Sequence, residues 1–136
     1  MNLRELGLAR LHSVGLSVRG YTALKKKGFQ TIGDLAREAE HSIFGKQAET
    51  RDVESGLATY FLRLVAEGEL REAAQVPLAA MEISVRGDNA FKQKGLETLA
   101  DLAKPGVLDT LGNNYVERDV RAAITFHVLG LIRTAE

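Results

Sequence analysis

Apolar residues in this chain recur at helical spacing in short runs, and each run is met again further along. Val53, Leu57, Phe61 and Leu64 fall on one helical face, as do Val120, Ile124, Val128 and Leu131, so each set predicts a long helix with one buried stripe. Upstream, Val18, Ala23 and Leu24 follow Ser17, a hydroxyl placed where an N-cap belongs, and Ser84 stands the same way before Val85. Gly28 and Gly95 occupy the positions that close those helices. Thr31 and Thr98 are each followed three residues on by an acid, Asp34 and Asp101. That pattern predicts a second N-cap and a short helix with its carboxylate at the positive end of the dipole. The first run, Leu3, Leu6, Leu8 and Leu11, reads as a short helix or docking arm, with a partner segment from Leu70 to Pro77.

The recurrence is a tandem duplication. Residues 3–69 laid over 70–136 without a gap give 23 identical pairs in 67, among them Ser-Val-Arg-Gly at Ser17 and Ser84 and Arg-Asp-Val at Arg51 and Arg118. The expected fold class is therefore all-α, built from two tandem compact helical units, 1–67 and 68–136. Each unit is near the lower size limit for an independent core, so each leans on the other. The last helix of the first unit continues through Ala66–Ala74 toward Pro77, with Gly68 weakening it. A stiff helical strut over about 65–77 is the expected joint between the units.

Composition narrows the function classes. Apolar residues make up 45% and charged residues 26%, the mixture of a globular protein, and there is no cysteine for disulfide, thiolate or Cys-type zinc chemistry. No apolar run approaches the length of a membrane span and the N-terminus does not read as a signal peptide, so the expectation is a cytoplasmic protein with no membrane partner. Lys plus Arg equal Asp plus Glu at 18 each, which removes an overall basic field as an argument for nucleic acid. Residues 1–67 hold 10 basic and 8 acidic side chains and residues 68–136 hold 8 and 10, so a polyanion would favour the first half. Catalytic patterns are weak. Gly28 to Gly33 has the glycine spacing of a phosphate loop, but Asp34 stands where a lysine is required. His12, His41 and His127 have no ligand spacing, and no Gly-x-Ser-x-Gly is present. The reading is non-enzymatic, with no cofactor and no metal.

Within the second copy the order VPLAAMEISVRGDNAFK, LETLADL, TLGNNYVERDVRAAI, and within the first LHSVGLSVRGYTALK, FQTIGDL, FGKQAETRDVESGL, closely resembles the C-terminal domain of the bacterial RNA polymerase alpha subunit. The resemblance covers nearly a whole such domain in each copy. It implies a compact helix-hairpin-helix type of unit that docks on the minor groove of A·T-rich DNA and meets transcription activators and sigma factor. By resemblance the groove-reading arginine falls on Arg19 and Arg86, and the asparagine three residues later is Asn89, replaced by Thr22 in the first copy. The glycine opening the last helix falls on Gly45 and Gly112. The family's Lys-Lys-Ser after it becomes Lys46, Gln47 and Ala48, and Asn113, Asn114 and Tyr115, while a glutamate of the DNA face corresponds to Asp52 and Asp119.

An arginine in the first turn of a helix, beside a second helix N-terminus, offers a guanidinium and free backbone N–H groups to one phosphate track. Such a surface binds backbone and groove shape with low sequence specificity. The competing use for Arg19 and Arg86 is an ion pair with Asp52 and Asp119 that ties the first helix to the last. Lys25, Lys26 and Lys27 read as a solvated helix end. Three function classes follow: a DNA-binding, nucleoid-associated transcription protein; a protein-interaction module for RNA polymerase or a regulator that keeps the fold without DNA; and a rigid adaptor.

Overall fold

Asn2 opens the chain's first helix by accepting the Glu5 N–H at 2.8 Å while the Glu5 carboxylate accepts the Asn2 N–H, a reciprocal cap that fixes α1 at Leu3–Gly7. The computed structural model describes residues 1–38, 47–111 and 114–136, without the side chain of Gln47. In order there follow α2 (Val18–Lys26), α3 (Ile32–Arg37), α4 (Gln47–Ala66), α5 (Arg71–Ala74), α6 (Val85–Lys94), α7 (Leu99–Ala103) and α8 (Asn114–Ala135). The described residues contain no β-strand, only one isolated bridge in each copy, Arg10 with Thr31 and Pro77 with Thr98. The chain is all-helical, as its periodicity requires.

The caps form where the hydroxyls stand. The Ser17 and Ser84 side chains accept the N–H groups of Gly20 and Gly87 at 3.0 and 3.1 Å, opening α2 and α6. Thr31 caps α3 by accepting the Asp34 N–H at 3.2 Å. Asp34 in turn accepts from Gln30 and Thr31, and Asp101 accepts from Glu97 and Thr98 in the second copy. These backbone donors hold both carboxyls below their ordinary range. Gly28 and Gly95 adopt the left-handed backbone, φ +85° and +67°, that ends α2 and α6. Leu8 departs from expectation: Leu3, Leu6 and Leu11 enter the core, but Leu8 is 73% exposed because α1 has already ended at Gly7.

The expected strut does not form. α4 stops at Ala66, Gly68 turns the chain at φ +75°, and α5 restarts only at Arg71. The turn exists because both copies share one core. Val53, Leu57 and Phe61 of α4 are fully buried in the same apolar cluster as Val120, Ile124 and Val128 of α8. The two long helices form the largest helix contact of the molecule. They cross where Thr125 Oγ1 donates to the Glu54 carbonyl and Arg121 donates to Thr59 Oγ1, both at 2.8 Å. Each long helix then serves both copies. α4 packs on α2 of its own copy but on α5 and α7 of the other, and α8 packs on α6 of its own but on α1 and α3 of the other. A Cβ on Gly7 would lie 3.1 Å from Ile132, and Arg37 reaches Glu136 at 3.2 Å. The copies thus exchange the far ends of their long helices.

One local difference between copies is sharp. Gly7 and Gly33 press together so closely that a Cβ on Gly33 would stand 2.8 Å from the Gly7 carbonyl oxygen. The same positions in the second copy are Ala74 and Ala100, so α1 and α3 approach each other in a way that α5 and α7 cannot.

Candidate nucleic-acid interface

Because Ser17 and Ser84 fix the start of α2 and α6, the next turn carries Arg19 and Arg86 to the molecular surface, both with more than half of the side chain exposed. Each meets the first turns of its own long helix. The Arg19 guanidinium donates to both Asp52 oxygens, at 2.7 and 3.1 Å, and Ser17 Oγ donates to the same carboxylate at 2.8 Å. The Arg19 and Ser17 hydrogen bonds hold the Asp52 carboxyl below its ordinary range, and Asp52 raises Arg19 in return. In the second copy Arg86 approaches Asp119 only at 3.5 Å and stacks over the Tyr115 ring, 5.6 Å from its centroid. The ion pair is therefore tight in one copy and loose in the other. Both remain at the surface, where such pairs are screened and compatible with an incoming anion.

The exchange of helix ends brings the two copies' charged turns to one place. Below the crossing of α4 and α8 lies a depression of about 390 Å³ bordered by Arg19, Arg51, Asn114, Arg118 and Arg121, with Asp52, Glu54 and Glu117 between them. Arg51 and Arg118 are the equivalent arginines of the repeated Arg-Asp-Val, and neither makes an ion pair among the described residues. Arg118 stacks on Tyr115, one turn before it in α8, at 5.6 Å, the same ring that Arg86 covers. Arg19, Arg51 and Arg118 thus border one depression, and the Tyr115 ring links Arg118 to Arg86. Arg121 is less available, since its guanidinium is held by Glu117 at 2.9 Å and by Thr59.

Of the other expected site residues, Thr22 and Asn89 are exposed one turn on from the arginines, and Asn114 opens α8 at the edge of the depression. Gly45, Lys46, Gly112 and Asn113 lie outside the described residues. Gln47 is the first residue of α4, its side chain likewise outside them. The motif reading did not single out Arg51, Arg118 or Arg121. Arg51 and Arg118 carried a usable signal, because they are identical in both copies at exposed positions of a charged turn.

Glu54 stands at the crossing, where burial raises its carboxyl to about 7 against a small opposing pull from Arg51. His127 on α8 is shifted down by burial. No helix among the described residues is long and apolar enough to cross a membrane. No family model, curated protein or solved structure matches this chain.

Proposed function

We propose that the protein is a non-enzymatic DNA-binding module that docks on phosphate backbone and minor groove with low sequence specificity. In this reading each copy is a unit of the helix-hairpin-helix type resembling the RNA polymerase alpha C-terminal domain, acting in transcription or on the nucleoid in the cytoplasm. The observation that carries it is the convergence of Arg19 and Arg51 from one copy and Arg118 from the other on one depression, with Arg86 beside Arg118 across the Tyr115 ring. Guanidinium groups in that arrangement suit phosphates on either side of a groove. Acids are interleaved, so the affinity expected is that of non-specific binding, in the micromolar range or weaker. Arg51 and Arg118, the two with no ion pair among the described residues, contribute most.

The test is anisotropy of a labelled A·T-rich duplex across a salt series. With two to four phosphates neutralised, log affinity should fall against log salt with a slope of about −2 to −4. Arg51→Ala and Arg118→Ala should each weaken binding and flatten that slope by about one. Absence of binding at low salt, or a slope near zero, rejects the proposal.

One observation favours a second reading, a protein-interaction module for RNA polymerase or a regulator. Val18 and Val85, equivalent residues beside Arg19 and Arg86, are 85% and 78% exposed. In the DNA reading they are apolar wedges for the groove. In the protein reading they are the apolar centre of an interface, and binding through them changes little with salt.

A further inference from the structure

Arg19 and Tyr21 are two residues apart on α2, about 200° around the helix, so Tyr21 lies on a different face from the arginine proposed to meet duplex DNA. On that face is a depression of about 370 Å³ bordered by Arg10, His12 and Lys25, by Tyr21 and Phe29, and by Gln30. Its size is at the low end for small-molecule sites, about 300–1,000 Å³. Local structure assembles it. Tyr21 and Lys25, four residues apart, share one side of α2. Gly28 turns the chain at φ +85°, and the Phe29 N–H donates back to the Leu24 carbonyl at 3.1 Å. The Leu11 N–H donates to the Gln30 carbonyl at 2.9 Å, which sets Arg10 beside Gln30, its guanidinium 3.5 Å from Gln30 Oε1. A Cβ on Gly28, which also lines the depression, would meet nothing within 4 Å, so the site is open there.

Among the described residues no carboxylate borders this depression, and Arg10, His12 and Lys25 make no ion pair. Asp34, which accepts the Gln30 N–H at 2.9 Å, caps α3 and is paired with Arg37 at 2.9 Å. The last carbonyls of α2 are also engaged, Lys25 accepting from Gly28 and Leu24 from Phe29, so they do not confront an anion unpaired. Tyr21 and Phe29 are half-buried against the core, which fixes each ring while part of it stays on the depression. The second copy repeats the backbone without these side chains. It has the same serine cap, the same left-handed glycine at Gly95 and the same return bond from Leu96 to Phe91. Tyr21 is replaced there by Asp88, which pairs at 3.0 Å with Lys92, the counterpart of Lys25. Arg10, His12, Phe29 and Gln30 are replaced by Pro77, Ala79, Leu96 and Glu97. The fold therefore does not require the rings and cations of the first copy.

We propose that this depression binds a nucleotide, either free in solution or as one unstacked unit of a single strand. The base stacks on Tyr21 and Phe29, a contact open to any base, and the phosphate is held by Arg10 and Lys25. The Gln30 amide, with donors and an acceptor, meets the base edge. An acidic peptide would use the cations and leave the rings idle, and an apolar ligand would cover charges without pairing them. A phosphate ester of an aromatic base uses both. Because the core holds the rings before the ligand arrives, stacking costs little ordering. The site shares no residue with the arginine depression and stands whether or not that depression binds duplex.

The test is amide NMR of the isotope-labelled full chain titrated with adenosine 5′-monophosphate (AMP). Shifts at Gly28, Phe29 and Gln30 should saturate with a dissociation constant of about 0.1–1 mM. Adenosine, which lacks the phosphate, and ribose 5-phosphate, which lacks the base, should each bind about fivefold more weakly or worse. Tyr21→Asp, which installs the second copy's residue, should abolish binding. Lys25→Gln, a change at an exposed position that leaves the packing untouched, should weaken AMP and leave adenosine unchanged. Arg51→Ala with Arg118→Ala, which removes the proposed duplex contacts, should leave AMP binding intact, so the two sites fail separately. In that double variant a single strand of about eight nucleotides identifies the source. Binding about tenfold tighter than AMP assigns the site to a strand, and equal or weaker binding assigns it to the free nucleotide. No saturable shift at about 10 mM AMP, ribose 5-phosphate binding as tightly as AMP, or unchanged binding in Tyr21→Asp overturns the proposal. A short polyglutamate peptide that binds as tightly as AMP also overturns it, reducing the site to a cationic patch.

Discussion

Glu54→Gln should remove one contribution that lowers the folded state's stability as pH rises from about 4.5 to 8. Glu54 sits where α4 and α8 cross, at the edge of the arginine-bordered depression, and burial raises its carboxyl from 4.5 to about 7. Arg121 of α8, which borders the same depression, is taken by Glu117 and Thr59, which leaves Arg51 as a weak opposing influence. A carboxyl with a folded pKa above its unfolded value contributes stability that is fully present below about 4.5 and lost as pH rises through about 7. For a carboxylate wholly removed from water, that rise corresponds to about 3 kcal/mol. Glu54 keeps part of its side chain in contact with solvent, and screening reduces the figure to about 1–2 kcal/mol. His127 works in the opposite direction: its lowered folded pKa adds stability as pH rises toward the ordinary imidazole range. The difference between parent and variant removes that contribution. Urea unfolding followed by circular dichroism should find the Gln variant more stable than the parent by about 1–2 kcal/mol at pH 8, with the gap closing by pH 4.5. A variant less stable than the parent at pH 8, or a gap independent of pH, would refute the reasoning and show that Glu54 is stabilised as an anion.

Three further outcomes follow from the packing. Asp52→Asn should release Arg19 from its two-pronged partner and strengthen duplex binding, with a steeper salt dependence by anisotropy; unchanged binding would place Arg19 outside the DNA surface. Gly33→Ala should destabilise by about 1–3 kcal/mol in thermal or urea unfolding because the Cβ meets backbone at Gly7, whereas Ala100→Gly, its counterpart, should cost about 1 kcal/mol or less. Residues 1–67 expressed alone should not be a stable monomer, since α3 packs on α8. By the duplication, two such fragments can supply each other's missing long helix, so light scattering should find a dimer or circular dichroism an unfolded chain. A folded monomer of native helicity would contradict the exchange.

The local elements were legible because their causes are local. Ser17, Thr31 and their sisters mark helix starts by the hydrogen bonds their hydroxyls accept, and Gly28 and Gly95 mark helix ends by a backbone that other residues adopt at a cost. The stripes of α4 and α8 were equally plain, except at Leu131. What the pattern could not express is which partner a stripe packs against. Val53 and Val120 bury themselves equally well in either arrangement, so periodicity is silent on the exchange of helix ends. The strut failed for the same reason, as helix propensity through Ala66–Ala74 is outweighed by the burial gained when the chain turns at Gly68. Arg19 and Arg86 were found through motif position, and their ion pairs with Asp52 and Asp119 through the shared offset. The depression between Arg51 and Arg118 was hidden because it forms only where two distant turns meet.

The exchange also bears on why a charge-balanced chain can carry a cationic surface. In a string of two separate units, each Arg-Asp-Val turn would face its own solvent, and its aspartate would offset its arginine locally. Crossing α4 over α8 instead sets Arg51 and Arg118 on one depression, where Asp52 is occupied by Ser17 and Arg19 and Glu117 by Arg121, while Arg51 and Arg118 keep no ion pair among the described residues. The sum of charges is unchanged, but Asp52 and Glu117 are each held by an arginine, which leaves Arg51 and Arg118 as the cations of this depression with no ion pair among the described residues. The two copies differ most tellingly on their long helices, where Gly56 faces Ala123, Arg63 faces Gly130 and Glu54 faces Arg121 across the repeat. Divergence at the crossing and along the long helices, rather than at the caps, is where the two halves acquired different chemistry.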